Sequence, residues 1–316
     1  GAYWQTVIAE FSGGEYIGQG SGYTDAGNAS VNTQLVIWHE LWNGDPAERH
    51  CLQSGTWVGS GNFSYVESTI IRGFGLEGRS NEFPAVKFNS SGIRMWKPGE
   101  VTYTTDIYAR NFRSYGIEMY APTPHHIGTL SAFDNVRAGI GCVGCWGGTV
   151  QVDEISCDDN GAIIESIAGN GSEGGGTWNI GTIKLETCVA SSGRAWRGQV
   201  VGVFNGQFAV NVGAISAASG GCDNDAWFVT DTRLTNGTPQ NSYIRVGAGK
   251  GFNFATLVHD ITNGKRWAMP GDYVALGFEW TYRGGGTLTT VPAIASSPAC
   301  SKRIDFLRSS GTPSHT

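Results

Sequence analysis

A short pattern of apolar and polar residues recurs through the middle of the chain. It reads polar, β-branched, two mostly small or polar residues, aliphatic, polar, and then small or apolar. Its aliphatic positions are Leu130, Ile155, Ile183 and Ile215, and the step from one to the next grows along the chain. Three short strands with three turns occupy about 22–30 residues, which fits a repeat of this length that has no helical or heptad signature.

The varying step predicts a solenoid in which the turns absorb insertions while the strands keep their register. A single repeat cannot bury its own inward side chains, so stacked neighbours must cover them at roughly 4.8 Å per coil. We therefore predict an all-β fold, a single-stranded right-handed parallel β-helix, with the four aliphatic positions stacked as one inward ladder. Segment 107–117 matches segment 130–140 one repeat further on, and Ile244 continues the series after Ile215.

The composition supports short strands joined by turns and narrows the range of partners. Glycine accounts for 48 of 316 residues, about twice the usual share of about 7 %, and it falls between short apolar runs. Charged residues make up only 15 %, and the net charge is −6 without a basic stripe, so we expect no nucleic-acid partner. No stretch of about 18 apolar residues occurs, so we expect no membrane span.

The first quarter of the chain differs from the repeat. Apolar residues recur at helical spacing from Val31 to Trp42, and Gly44 and Pro46 stop the run. With a polar residue before Val31 as the N-cap, this spacing predicts an amphipathic helix over Ser30–Trp42. We divide the chain into a lead-in with a capping helix (1–50), a parallel β-helix (51–295) and a Ser- and Pro-rich tail (296–316).

The order of motifs in this first quarter resembles a known family. The predicted helix is followed by Gly55-Thr56-Trp57-Val58 and then by Thr69-Ile70-Ile71-Arg72-Gly73-Phe74-Gly75. This order is similar to the opening of the pectin-lyase-like β-helix superfamily, in which the helix caps the solenoid and shields its core. The motifs cover roughly 28–75, and 107–246 is covered by the repeat alone. The superfamily includes polysaccharide lyases, polygalacturonase-type hydrolases, phage tailspikes and virion or adhesin shafts, so the resemblance implies a fold rather than one activity.

An acidic cluster is the clearest candidate for chemistry. The repeat offsets place Asp159 one coil from Asp134, and Asp158 one coil from Glu186. Ladder neighbours lie about 5 Å apart, so these four carboxylates are predicted to share one outer face. Such a group could divide acid and base or nucleophile roles in glycoside cleavage, or hold Ca²⁺. The alternative is that Asp158-Asp159-Asn160-Gly161 is simply a turn, where Asp, Asn and Gly are favoured.

The catalytic signatures of the superfamily are mostly missing. Its hydrolase branch implies Asn-x-Asp, Asp-Asp and Gly-His-Gly, of which only Asp158-Asp159 is present. Its lyase branch implies carboxylates for Ca²⁺ and a basic residue, for which Arg137 and Lys184 lie near the cluster. The pair His125-His126 could act as acid and base, or it could be a polar loop.

Several tryptophans could stack on sugar rings if they face outward, although some of them must belong to the core. Trp146 and Trp178 are the candidates for glycan binding, and Trp96, Trp196 and Trp227 are further outward candidates. Cys142 and Cys145 form a lone CxxC without a second pair, so we expect no zinc site and no metal other than Ca²⁺.

Two classes of function remain. The first is a virion- or cell-surface structural protein of the tailspike, decoration or shaft type that presents a glycan-facing surface. The second is a secreted or virion-associated polysaccharide lyase or glycoside hydrolase that uses carboxylates on one face of the β-helix. The missing signatures favour the first class. In either case we expect an extracellular or virion-surface location, a polysaccharide or cell-surface glycan and other surface proteins as partners, and a homo-oligomer, most simply a trimer.

Overall fold

The computed structural model describes residues 14–18, 33–37, 49–54, 68–81, 90–96, 98, 102–158, 160–168, 175–185, 200–217, 226–233, 237, 239–251, 256–268, 274–283 and 287–295. In these residues every regular element is a strand. The strands are β1 Gly14–Ile17, β2 Thr33–Val36, β3 Arg49–Ser54, β4 Thr69–Glu77, β5 Ser90–Trp96, β6 Thr102–Arg110, β7 Tyr115–Tyr120, β8 His125–Phe133, β9 Ala138–Asp158, β10 Ala162–Ala168, β11 Gly175–Leu185, β12 Val200–Asn205, β13 Gln207–Ala217, β14 Phe228–Asp231, β15 Ser242–Gly251, β16 Thr256–Asp260, β17 Lys265–Ala268, β18 Val274–Arg283 and β19 Thr287–Ala295.

The strands form two largely parallel sheets, and the chain alternates between them. In sheet A, β1 and β2 pair with the two halves of β4, and the order continues β6, β8, β9, β11, β13 and β15. In sheet B the order is β3, β5, β7, β9, β10, β12, β14 and β16. Strand β9 contributes its first part to sheet B and its second part to sheet A. A solenoid is compatible with this order, because each repeat adds a strand to each sheet.

Antiparallel strands end both sheets. Strand β17 pairs with β16 at the end of sheet B, and β18 and β19 continue sheet A beyond β15. At the other end, β1 and β2 already belong to sheet A, so this sheet begins before residue 51. The predicted tail, 296–316, lies outside the described residues.

The predicted inward ladder is confirmed. Its members Leu130, Ile155, Ile183 and Ile215 are paired on successive strands of sheet A, and each is at most 2 % exposed. The match of segment 107–117 to segment 130–140 is also confirmed, since Ile107 pairs with Leu130. The continuation at Ile244 is wrong. Ile215 pairs with Gly249, and Ile244 pairs with Val210. Strand β15 has the same alternation of inward and outward residues as β13, but the step between these two strands is longer than predicted.

The strands of sheet A contain a break in their alternation. In β9 the inward residues Val152 and Ile155 are separated by two exposed residues, Asp153 and Glu154. The same two-residue break recurs in β13 at Gly213-Ala214. Two successive outward residues bend a strand, so each long strand of sheet A consists of two segments. These positions are the two small or polar residues of the sequence repeat.

The helix predicted over Ser30–Trp42 is not seen. Its central part, Thr33–Val36, is strand β2, which pairs in parallel with β4. Leu35 and Ile37 are both buried and lie two residues apart, so the period of the inward residues here is that of a strand. The pairing with β4 therefore overrides the helical spacing of the apolar residues. The rest of the predicted helix lies outside the described residues.

Candidate functional site

The acidic residues predicted to act together lie where sheet A ends in a turn. Asp134 follows β8 with a φ of 52°, in the left-handed region that turn residues adopt. Its neighbour Phe133 pairs with Asp158, so Asp134 lies one residue beyond the position that is opposite Asp158. The side chain of Asp158 and all of Asp159 and Glu186 lie outside the described residues. The shared carboxylate site therefore stays a prediction.

Two asparagines build the interior of this turn. Asn135 and Asn160 are at most 2 % exposed, and Asn135 donates from its backbone N and its Nδ2 to Asn160 Oδ1, at 3.0 and 2.9 Å. Asn160 Nδ2 donates to the Ala132 carbonyl at 2.7 Å, and Asn135 Oδ1 accepts from Phe112 N at 3.1 Å. Because these bonds satisfy buried backbone groups, Asn160 has a structural role, which is what the turn alternative requires.

The predicted glycan-stacking residues have different outcomes. Trp178 is fully buried, and its Nε1 donates to Ser166 Oγ at 3.2 Å, so the prediction that it faces a glycan is wrong. It occupies an inward position of β11, opposite Val150 of β9 and Val210 of β13. Trp146 lies in β9 opposite Gly175, and its side chain is outside what the structure describes.

The two adjacent histidines cannot share a site. His125 points into the core, where neither ring nitrogen has a hydrogen-bond partner, and burial lowers its pKa to about 3. His126 points outward and lies 2.8 Å from the Asp153 carboxylate. The alternation of β8 separates the rings onto opposite faces of sheet A.

The outer face of sheet B carries a row of half-buried or exposed residues, one in each of six strands and one directly after β16. This row, called the exposed row, consists of Trp96, Tyr120, Val143, Ile167, Asn205, Asp231 and Ile261. The first four residues pair with one another in order, and Asn205 pairs with Asp231. Ile167 and Asn205, and likewise Asp231 and Ile261, lie one residue beyond the last paired residues of their strands. Six strand spacings make the row roughly 29 Å long. It is therefore a continuous surface along the stacking direction.

An aromatic platform lies at one end of the exposed row. The rings of Trp96 and Tyr120 stack with their centroids 4.0 Å apart. The Arg94 guanidinium lies 4.5 and 4.8 Å from these two ring centroids, and its Nη2 donates to Tyr120 Oη at 3.0 Å. Arg94 is itself buried against His50 and Glu118. Because the platform rests on a fixed guanidinium, its orientation is set before any ligand arrives.

Burial shifts the pKa values of two groups in and beneath the platform, His50 and Tyr120. It lowers the pKa of His50 to about 4, so this ring is neutral near pH 7 and its Nδ1 accepts from Ser91 N at 3.2 Å. Burial, together with the Glu118 carboxylate, raises the pKa of Tyr120 to about 12. The Tyr120 hydroxyl therefore stays protonated at all physiological pH values.

A pocket of about 190 Å³ lies at the other end of the row. Its lining residues are Arg137, Glu165, Ile167, Val203, Asn205, Asp231 and Ile261. The Glu165 side chain is fully buried, and Arg137 donates to it from Nε at 3.0 Å and from Nη2 at 2.7 Å. Tyr115 Oη also donates to Glu165, at 2.8 Å. Burial alone lowers the pKa of Arg137, but the hydrogen bonds to Glu165 outweigh this effect and raise it.

The second carboxylate of the pocket is also paired. Arg233 donates to Asp231 from Nε at 2.7 Å and from Nη2 at 2.5 Å. Burial alone raises the pKa of Asp231, but the hydrogen bonds from Arg233 outweigh this effect and lower it. Both pocket carboxylates are therefore held by arginines. Asp231 lacks the raised pKa that a general acid needs, and Glu165 is fully engaged with Arg137 and Tyr115, so the arrangement suits binding better than proton transfer.

Sequence reasoning found only part of this site. It named Trp96 as an outward tryptophan, which is correct, and it assigned Arg137 to the acidic cluster around Asp158. The structure places the Arg137 guanidinium on Glu165 instead, in the neighbouring strand of sheet B. The aliphatic positions of the sequence repeat all lie in sheet A, so they gave no register for β10 and did not place Glu165 beside Arg137.

The described residues contain no group of three or more His, Cys, Asp or Glu side chains that could hold a metal ion. Cys142 and Cys145 are joined as a disulfide and lie in the core. The predicted Ca²⁺ site depends on Asp159 and Glu186 and lies outside the described residues. In the same part of the chain, no helix has the length and hydropathy needed to cross a bilayer.

Comparison of the chain with models of known protein families, with curated proteins and with solved structures gave no match.

Proposed function

We propose that this chain is a right-handed parallel β-helix of the pectin-lyase-like type that binds a polysaccharide or cell-surface glycan along the outer face of sheet B. Three observations support the fold proposal: the alternation of strands between two sheets, the inward ladder through Leu130, and the bend within each strand of sheet A. Together they support a coil with three strand segments. The location that we propose is extracellular or on a virion surface, as for tailspike, decoration or shaft proteins.

The observation that carries the glycan proposal is the exposed row. It offers stacked aromatic rings at one end and a pocket with hydrogen-bonding groups and aliphatic side chains at the other. The C–H face of a sugar ring packs well on an aromatic ring, and its hydroxyls bond to carboxylate, amide and guanidinium groups. A linear glycan that lies along the row would meet both kinds of group.

The enzymatic alternative is a polysaccharide lyase or glycoside hydrolase. One observation favours it, namely that the backbones of Asp134 and Asp158 lie near each other, since Phe133, which precedes Asp134, pairs with Asp158. Against it, the pocket carboxylates Glu165 and Asp231 are both bound to arginines. An assay for reducing ends and unsaturated products on a panel of polysaccharides separates the two functions, and we expect binding without product.

The binding proposal is tested by Trp96→Ala in affinity electrophoresis against neutral and acidic polysaccharides. We expect the retained polysaccharides to bind the variant roughly tenfold more weakly, because one stacking surface is lost. Tyr243→Ala is the matched control, since this ring is 39 % exposed on the outer face of sheet A. Retention of Trp96→Ala at the wild-type level, or an equal loss in both variants, would reject the assignment to sheet B.

A further inference from the structure

The charges of the pocket are balanced within the protein. Glu165 is matched by Arg137, and Asp231 is matched by Arg233. A ligand carboxylate would therefore meet two anions that already occupy the arginines, and a ligand cation would have to displace those arginines. The pocket accordingly favours an uncharged group.

The rest of the lining specifies the polarity of that group. Ile167, Val203 and Ile261 supply aliphatic surface. Asn205 Oδ1 is buried and has no hydrogen-bond partner, so it lacks a donor. Arg137 uses Nε and Nη2 on Glu165, and the remaining N–H groups of the guanidinium, on a side chain that is 35 % exposed, can donate to a ligand oxygen.

From these features we infer that the pocket is a subsite for the acetamido group of a neutral N-acetylated sugar. The inference rests on the proposed glycan-binding function. An acetamido group has an N–H that can donate to Asn205 Oδ1, a carbonyl oxygen that can accept from Arg137, and a methyl group that packs on the aliphatic lining. The pocket of about 190 Å³ is smaller than the roughly 300–1,000 Å³ of sites that enclose a drug-sized ligand, so it takes one sugar unit or its substituent.

These three contacts explain why a hydroxyl group is a poorer ligand than an acetamido group. A hydroxyl can donate to Asn205 or turn towards water, but it places no apolar group against the aliphatic side chains of Ile167 and Ile261. An acetamido group meets Asn205, Arg137 and the aliphatic lining at the same time. An N-acetylated sugar that fits the pocket should therefore bind roughly tenfold more tightly than its parent hexose.

Saturation-transfer difference NMR on the whole chain tests this inference with three pairs of free sugars. The pairs are N-acetylglucosamine with glucose, N-acetylgalactosamine with galactose, and N-acetylmannosamine with mannose. We expect at least one acetamido sugar to receive far more saturation than its partner, with the acetyl methyl protons receiving most. Asn205→Leu should remove the difference, because the enclosed acetamido N–H then has no acceptor, whereas a hydroxyl can turn towards water. Asn211→Leu, on the outer face of sheet A, should preserve the difference.

If no acetamido sugar exceeds its parent hexose, the inference is wrong. It is also wrong if the difference survives in a folded Asn205→Leu protein. The comparison within the wild-type protein needs no variant, so poor folding of Asn205→Leu cannot obscure the result. Retention of polysaccharides by the Trp96 platform is measured separately, which distinguishes failure of the subsite from failure of the glycan-binding proposal.

Discussion

The buried pair Asn135–Asn160 should stabilise the fold far more than a half-buried pair of the same chemistry. Asn135→Ala removes the acceptor of Phe112 N and the donor to the Ala109 carbonyl, and both backbone groups stay buried. An unsatisfied buried polar group costs about 1–3 kcal/mol, so the two together should lower the free energy of unfolding by about 2–6 kcal/mol. Urea denaturation followed by circular dichroism measures this loss, provided that the m-value stays unchanged.

Asn211→Ala provides the matched control. Asn211 Nδ2 donates to Asn179 Oδ1 at 3.0 Å on the outer face of sheet A, where water can replace the lost partner. We expect this change to alter the free energy of unfolding by only about 0.5 kcal/mol. Equal losses in the two variants would refute the argument that the buried asparagines hold the turn together.

Three further predictions concern pH and assembly. The pKa of His125 is lowered to about 3 from 6.5, so the stability that the neutral ring contributes is fully present above pH 6.5 and is lost as the pH falls. Between pH 7 and pH 5 the wild type should therefore lose about 2 kcal/mol of its free energy of unfolding through this residue, and His125→Leu should not show this loss in urea denaturation at the two pH values. Burial raises the pKa of Asp260 to about 6 from 3.8, so the stability that its protonated form contributes is fully present below pH 3.8 and is lost as the pH rises through 6. Asp260→Asn should therefore be more stable than the wild type at pH 7 in thermal unfolding, and a variant that is less stable at pH 7 would contradict this sign. We also expect light scattering to give the mass of a homotrimer, and deletion of 296–316 to weaken it; a monomer that is unaffected by the deletion would reject this proposal.

The inward ladder could be predicted because it depends only on a repeated pattern. Leu130 and Ile155 are each followed by one polar residue and one small residue, and a parallel register carries that pattern from strand to strand. The turn at Asn160 could also be predicted, since its residue types favour turns. What the sequence did not reveal is that Asn135 and Asn160 point inward, because asparagine is usually an exposed residue.

The remaining errors have physical causes of a different kind. The segment around Leu35 carries both a helical and an alternating pattern, and only its pairing with β4 decides between them. The sequence did not show which tryptophans belong to the core, and Trp178 is one of those that do, because it lies at an inward position of β11 opposite two valines. Arg137 directly precedes β9 and bonds to Glu165 in β10, and the register of these two strands in sheet B could not be derived from the ladder of sheet A.

Hydroxyl-radical footprinting with and without a retained polysaccharide tests the central claim most directly, because it reports which side chains the glycan covers. If the glycan lies along sheet B, oxidation of Trp96, Tyr120 and Ile261 should fall, while Tyr103 and Tyr243 on the outer face of sheet A should react as before. Protection of Tyr103 and Tyr243, with Trp96 and Ile261 unchanged, would contradict the account and move the binding surface to sheet A.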